Sequence, residues 1–308
     1  MPLDNRPARL PCVMAPTSHL SPAFLSRLEA LRLSIRQVRW GSRLGGRFLI
    51  SRRGSSIEFA DYAAYAPGDD IRAIDWNLYA RLDRLFVKTY KEEIELAVEV
   101  LVDATASMGL PSVRKFERAV ELSLALGYVG LAGRHQVRMS WIAPGRLQAT
   151  ARCMQRADLT RLTQACSAVK PGGSVALSEW MARAITACRM RGGQAILLSD
   201  CMHRPADWFG AVHGLLRRHL EVKVIQILSP EELEPSRLMR GTVLVDSETG
   251  STHQLAYSPA ELAQAVIDHN ETLARFCKRN GVLFVQHRLD EPLERFVLKT
   301  LPLRGFLE

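Results

Sequence analysis

No apolar run in this chain is long enough to cross a bilayer. The longest charge-free one, Leu122 to Gly133, is well short of the roughly 20 residues a spanning helix needs. No basic start leads into an apolar stretch and a small-residue cleavage site, so a secreted protein is not expected. Cysteine is sparse: Cys12, Cys153, Cys166, Cys188, Cys201 and Cys277 are scattered without a C-x-x-C pair. That argues against a disulfide framework and a thiolate zinc site, and favours buried reduced thiols in a cytoplasmic setting. The eight histidines form no H-x-x-x-H or H-E-x-x-H pair. His203, near Asp200, reads as a surface loop residue. Also missing are a G-x-x-x-x-G-K-[ST] phosphate loop, a G-x-G-x-x-G after a strand and a G-x-S-x-G elbow. These absences leave nucleotide hydrolysis, dinucleotide binding and serine-hydrolase chemistry without support.

What is present is a globular composition, 47% hydrophobic and 24% charged, over 308 residues. That length suits one large domain with an extension. The net charge is +9 and unevenly placed. Residues 1–60 hold ten arginines against Asp4, Glu29 and Glu58, leaving the rest of the chain at +2. A basic arm attracts an acidic protein, anionic lipid or nucleic acid. No RNA-binding motif, zinc finger or recognition helix accompanies it, so nucleic acid is not the expected partner.

Residues 1–20, with Pro2, Pro7, Pro11 and Pro16, read as a loose tail. Ser21-Pro22 predicts a helix start, and the spacing of Phe24, Leu28, Leu31 and Ile35 carries that helix to about Val38. Residues 41–90 read as short strands and ordered loops. From residue 94 strands and helices alternate. Strands are expected at 94–102, 136–143, 195–199, 221–228 and 282–288, with a short antiparallel strand near 146–151. Helices are expected near 113–132, 156–169, 177–190, 206–219, 259–279 and 291–300. Val243–Val245 and His253–Ala256 flank a turn and predict a β-hairpin inserted at about 241–257. This pattern predicts an α/β fold: a doubly wound, mostly parallel sheet with helices on both faces, over residues 93–303. Residues 21–92 form an N-terminal basic extension of helix and short strands.

In such a sheet ligands bind outside the carboxyl ends of the strands. Strand 94–102 runs into Asp103-Ala-Thr105-Ala-Ser107, strand 195–199 ends in Asp200, and Pro171-Gly-Gly-Ser174 precedes a helix. These are hard oxygen donors of the kind magnesium takes in near-octahedral geometry. Each also has a plainer reading. Asp103, Ser107 and Ser174 suit helix caps, Thr105 a turn, and Asp200 a cap or Asx-turn. The D-x-T loop lacks the second acid of the D-x-D phosphatase pattern.

The stretch Arg52 to Trp76, RRGSSIEFADYAAYAPGDDIRAIDW, closely resembles the signature of the family called domain of unknown function fifty-eight. Ala80-Arg81, Val87-Lys88 and Glu92-Glu93 continue the likeness, as do Val245–Gly250 and Asp290–Leu293, so it covers roughly residues 40–303. The resemblance implies a von Willebrand factor A-like domain and a metal-ion-dependent adhesion site of pattern D-x-S-x-S, with a later threonine and a later aspartate. Carried over, those positions are Asp103, Thr105, Ser107, Ser174 and Asp200. Thr105 stands for serine and Ser174 for threonine, and both keep the hydroxyl. The implied cofactor is a divalent cation, Mg2+ first and Mn2+ second. The implied role is a non-enzymatic adaptor between a MoxR-type AAA+ ATPase and a client protein that offers a carboxylate. The alternative is a divalent-metal-dependent phosphatase or nuclease using the same acids.

The signature itself interleaves Arg53, Gly54, Glu58, Phe59, Asp61, Tyr62, Tyr65, Pro67, Gly68, Asp69, Asp70, Arg72, Asp75 and Trp76. A buried hydrogen-bonded ion network that locks the segment onto the α/β domain is the first reading, a partner-docking surface the second, and catalysis a distant third.

Overall fold

The computed structural model describes residues 20–34, 58–66, 71–91, 96–143, 145, 148–187, 192–234, 243–245, 252–254 and 258–308. Two compact units are present: Gly46–Glu95, and the remainder, Met1–Gly45 with Leu96–Glu308.

The larger unit begins with helix α1 (Pro22–Leu28), capped by Ser21, whose hydroxyl accepts from the Phe24 N–H at 3.1 Å. The helix is shorter than the expected run to Val38. Beyond Glu29 the backbone turns to pair with the C-terminal segment. Arg32 and Glu308 exchange N–H···O bonds of 2.7 and 2.9 Å, and Leu33 bridges Leu307. These pairings satisfy backbone groups that helix continuation would otherwise use.

The alternation that follows builds the sheet: β3 (Ala97–Asp103), α3 (Arg114–Ala132), β4 (Gln136–Ile142), β5 (Gln148–Ala149), α4 (Leu159–Ser167), α5 (Leu177–Ala187), β6 (Gln194–Ser199), α6 (Pro205–Leu216) and β7 (Glu221–Leu228). A short α7 (Pro230–Leu233), the hairpin β8 (Val243–Val245) with β9 (Thr252–Gln254), α8 (Pro259–Arg279) and β10 (Leu283–Arg288) come next. Strands β1 (Glu58–Ala64) and β2 (Phe86–Lys91) and helix α2 (Trp76–Leu82) belong to the smaller unit. The chain closes with helical turns over residues 293–303, including a wider π-type turn at Phe296–Thr300.

The sheet order is β10-β7-β6-β3-β4-β5, parallel except for the β4–β5 pair. This is the expected doubly wound α/β architecture. Each central strand is buried on both faces, and its residues alternate between two cores. Val98, Val100 and Val102, with Ile196, Leu198, Ile225 and Ile227, face the core built by α1, α3 and α4. Leu101, Ala195, Leu197, Val222 and Val224 face Trp180, Met181, Trp208 and Leu215 of α5 and α6, and Leu273 of α8. Gly193 enters β6 at φ +90°, where a Cβ would lie 2.1 Å from the Ala97 carbonyl oxygen. Only glycine allows the two backbones to approach so closely.

Helix α8 starts in a capping box. Ser258 accepts from the Glu261 N–H at 3.3 Å, and Glu261 accepts from the Ser258 N–H at 2.6 Å. Among the described residues no helix is long and apolar enough to cross a membrane. Cys153, Cys166, Cys201 and Cys277 are buried and free.

In the smaller unit, β1 (Glu58–Ala64) and β2 (Phe86–Lys91) form an antiparallel ribbon, with a register shift between Phe59 and Asp61. Helix α2 (Trp76–Leu82) is capped by Asp75, whose Oδ1 accepts from the N–H groups of Asn77 and Leu78 at 3.0 and 3.1 Å. The Tyr62 hydroxyl donates to Asp75 Oδ2 at 3.1 Å. Asp75 is thus a buried organiser of its own segment. Glu58, Phe59 and Asp61 lie in β1. Tyr65 is half-buried, while Arg72 and Trp76 are exposed, Trp76 making an edge contact with Tyr79. Arg53, Gly54, Pro67, Gly68, Asp69 and Asp70 lie outside the described residues.

Candidate metal centre

The sheet winds in opposite directions from β3 and β6, so a crevice opens beyond the carboxyl ends of these two neighbours. Asp103 ends β3 and Asp200 follows β6, and both carboxylates are completely buried. The Asp103 carboxylate is fixed from both sides. Oδ1 accepts from the Thr105 backbone N–H at 3.0 Å and the Thr105 hydroxyl at 2.7 Å, and Oδ2 accepts from the Ser199 hydroxyl at 2.6 Å. The Thr105 and Ser107 hydroxyls lie 3.1 Å apart. The D-x-T-x-S loop therefore does bring alternate side chains to one point, and Thr105 is neither exposed nor a simple turn residue.

The loop that carries Ser174 is tied to the same place by backbone hydrogen bonds. The Ala106 N–H donates to the Gly173 carbonyl at 2.9 Å, and the Gly172 N–H to the Ala104 carbonyl at 3.0 Å. Ser174 itself is exposed on that loop.

Asp200 has a partner that sequence reasoning missed. Lys115, in the first turn of α3, is wholly buried and donates to Asp200 Oδ2 at 2.9 Å and to Glu232 Oε1 at 2.6 Å. Asp200 Oδ1 accepts from the Met202 N–H at 3.1 Å, and its carbonyl accepts from the Gln226 side chain at 3.0 Å. Burial acts to raise the Asp200 carboxyl, but the Lys115 charge and its hydrogen bond outweigh it and hold the group below the ordinary carboxylate range. Burial likewise acts to lower Lys115, and the two carboxylates overcome it, so the ammonium is held above its usual value. Glu232 is pushed up by burial, against Lys115. Asp103 is also pushed up, first by burial and then by the Asp200 charge.

Three carboxyl groups, Asp103, Asp200 and Glu232, share this corner with the single ammonium of Lys115, beside the hydroxyls of Thr105 and Ser107. Ionised carboxylates in a buried site are costly, and a divalent cation would offset that cost. The donor set of carboxylates and hydroxyls fits such an ion.

His203 completes the cluster. It is not the surface residue expected from sequence: its side chain is 7% exposed, with Nδ1 3.9 Å from Asp103 Oδ2. Ligand atoms of Asp103, Asp200 and His203 all lie within 4.8 Å of one another. Nothing local in the sequence marks Lys115, which with Lys223 is one of two fully buried lysines among the described residues.

The family model described as "Protein of unknown function DUF58" matches residues 61–284. This chain belongs to that family. The matched span of the DUF58 region contains every residue of the cluster, from Asp103 to Glu232. An uncharacterized Mycobacterium tuberculosis protein, Rv1480, is 28% identical over 302 residues, covering 92% of each chain. Among solved structures, the conserved hypothetical protein BatB from Bacteroides thetaiotaomicron aligns over 68% of this chain and 98% of its own, at 14% identity and TM-score 0.38. The SpRpn10 VWA domain aligns over 68% of this chain and 96% of its own, at 10% identity and TM-score 0.41. It is the strand order that defines the doubly wound fold of this DUF58 member.

Proposed function

We propose that the protein is a non-enzymatic, metal-dependent interaction module, an adaptor that works in the cytoplasm with a MoxR-type AAA+ ATPase on client proteins. The observation that carries this reading is the buried cluster at the sheet's carboxyl edge. The carboxyls of Asp103 and Asp200 converge there with the imidazole of His203, beside the Thr105 and Ser107 hydroxyls, at the place where an α/β sheet presents ligands. A divalent cation bound there would supply an electrophilic position open to a carboxylate from a partner or client.

The chain's own residues have distinct parts in this reading. Thr105 and Ser107 offer hydroxyl oxygens. Asp103 is held rigid by Thr105 and Ser199, and so supplies fixed negative charge. Lys115 neutralises one oxygen of Asp200 and anchors α3 to the β6 end. Ser174 sits on the exposed loop at the rim, where a partner can reach it.

The hydrolase alternative is weaker on the same geometry. Asp103 is fully buried and fixed by hydrogen bonds from Thr105 and Ser199, and the D-x-T loop has no second acid beside it to act as general acid or base. The test is capture of a MoxR-type AAA+ ATPase by the immobilised full chain, with and without chelator, beside Asp103→Asn. Chelator-sensitive capture lost in the variant is expected. Capture that survives both treatments would overturn the metal-bridged reading.

A further inference from the structure

The imidazole of His203 has no hydrogen-bond partner at either ring nitrogen, although it is nine-tenths buried. A buried polar group left without partners is costly, so such a group calls for an explanation. Its surroundings supply one. Nδ1 stands 3.9 Å from Asp103 Oδ2, too far for a hydrogen bond and only about 0.5 Å wider than the roughly 3.4 Å that separates two tetrahedral donors of a shared ion. Asp200 offers a third donor within 4.8 Å of both.

The loop that presents His203 is held firmly. Cys201 adopts φ +60°, and its N–H donates to the Ser199 hydroxyl at 2.9 Å. Met202 donates to Asp200, and the Cys201 carbonyl lies 2.8 Å from a ring nitrogen of His269 on α8. The same two residues, Ser199 and Asp200, therefore position both the acids and the imidazole.

We propose that His203 is a nitrogen ligand of this centre and biases it toward a late first-row divalent ion, of the Co2+ or Zn2+ class, over Mg2+. The proposal rests on reading the cluster as a cation site, and it deepens that reading by naming the ion. Magnesium takes oxygen donors and keeps several waters, whereas imidazole suits the later metals. Nearly any mixed nitrogen and oxygen site binds those metals better than magnesium, so the informative quantity is the part of the preference that depends on His203.

The experiment titrates the full chain with Co2+, followed by its visible absorption, and with Mg2+, followed by calorimetry. Wild type is compared with His203→Asn, His203→Gln and Asp103→Asn. Removal of the imidazole is expected to weaken Co2+ on the order of tenfold or more, to alter the Co2+ spectrum, and to leave Mg2+ affinity near its wild-type value. X-ray absorption of wild type loaded with one equivalent of Zn2+ should show imidazole scattering, and this holds even if the histidine variants misfold. Unchanged Co2+ affinity in both folded variants, or no imidazole scattering, would overturn the role of His203 while leaving the cation site standing. Absence of saturable binding by either ion in wild type would overturn both.

Discussion

Replacing Lys115 with methionine removes one buried positive charge while nearly preserving volume. In the folded chain that ammonium is 1% exposed and contacts Asp200 at 2.9 Å and Glu232 at 2.6 Å. Asp200 has no access to solvent, whereas the Glu232 side chain keeps 17% exposure and can rehydrate or take a proton. Most of the loss therefore comes from stranding Asp200. Breaking a buried pair in this way costs about 3–5 kcal/mol, a large part of the roughly 5–15 kcal/mol that holds a domain together. The loss should depend on pH. In wild type the Asp200 carboxyl sits below its ordinary range, so its contribution is present at neutral pH and fades as pH falls through the folded value. Without Lys115 the burial that already acts on Asp200 goes unopposed. Its carboxyl then rises above the unfolded value, and the variant gains stability as pH falls. The two curves should converge on acidification from pH 7 to 5. Urea unfolding followed by the buried tryptophans Trp141, Trp180 and Trp208 reads this unit directly. The double variant Lys115→Met with Asp200→Asn should recover most of the loss. A deficit below about 1 kcal/mol, or one that does not change with pH, would refute the account of the cluster.

Other perturbations test other parts of the molecule. Gly193→Ala places a Cβ against the Ala97 carbonyl at φ +90°, and should destabilise by more than about 2 kcal/mol in the same unfolding assay. His287 is pushed down to about 3, first by burial and then by the Arg118 guanidinium, so the folded state stays neutral where the unfolded chain takes up a proton. Wild type should therefore lose stability relative to His287→Gln as pH falls below about 6.5, by up to about 1.4 kcal/mol per pH unit. Asp75→Ala removes the cap of α2 and the acceptor of the Tyr62 hydroxyl. It should cost the smaller unit about 1 kcal/mol, read through the fluorescence of Trp76 at the start of that helix.

The parts of this fold that sequence revealed are those written in local periodicity. The apolar runs of β3, β6 and β7 read as strands, and they are apolar throughout because successive residues face two different cores. The capping box of α8 marks its start directly. Strand ends then pointed to Asp103 and Asp200, because chain order and the winding rule place those residues at one edge. The missed features depend on contacts between distant positions. Lys115 meets Asp200 across 85 residues and Glu232 across 117, and no local pattern announces either contact. His203 read as a surface residue because its loop is short and polar, while its burial comes from how Ser199, Asp200 and His269 hold that loop. Helix α1 ends early because Arg32 and Leu33 pair with Glu308 and Leu307, at the opposite end of the chain.

The central claim, that the buried cluster is a divalent-cation centre, is tested most directly by calorimetric titration of Mg2+ and Mn2+ into the full chain beside Asp103→Ala, with circular dichroism confirming that the variant folds. The account predicts saturable binding by wild type, abolished in the folded variant. Equal heats in the two proteins, or none in either, would contradict it.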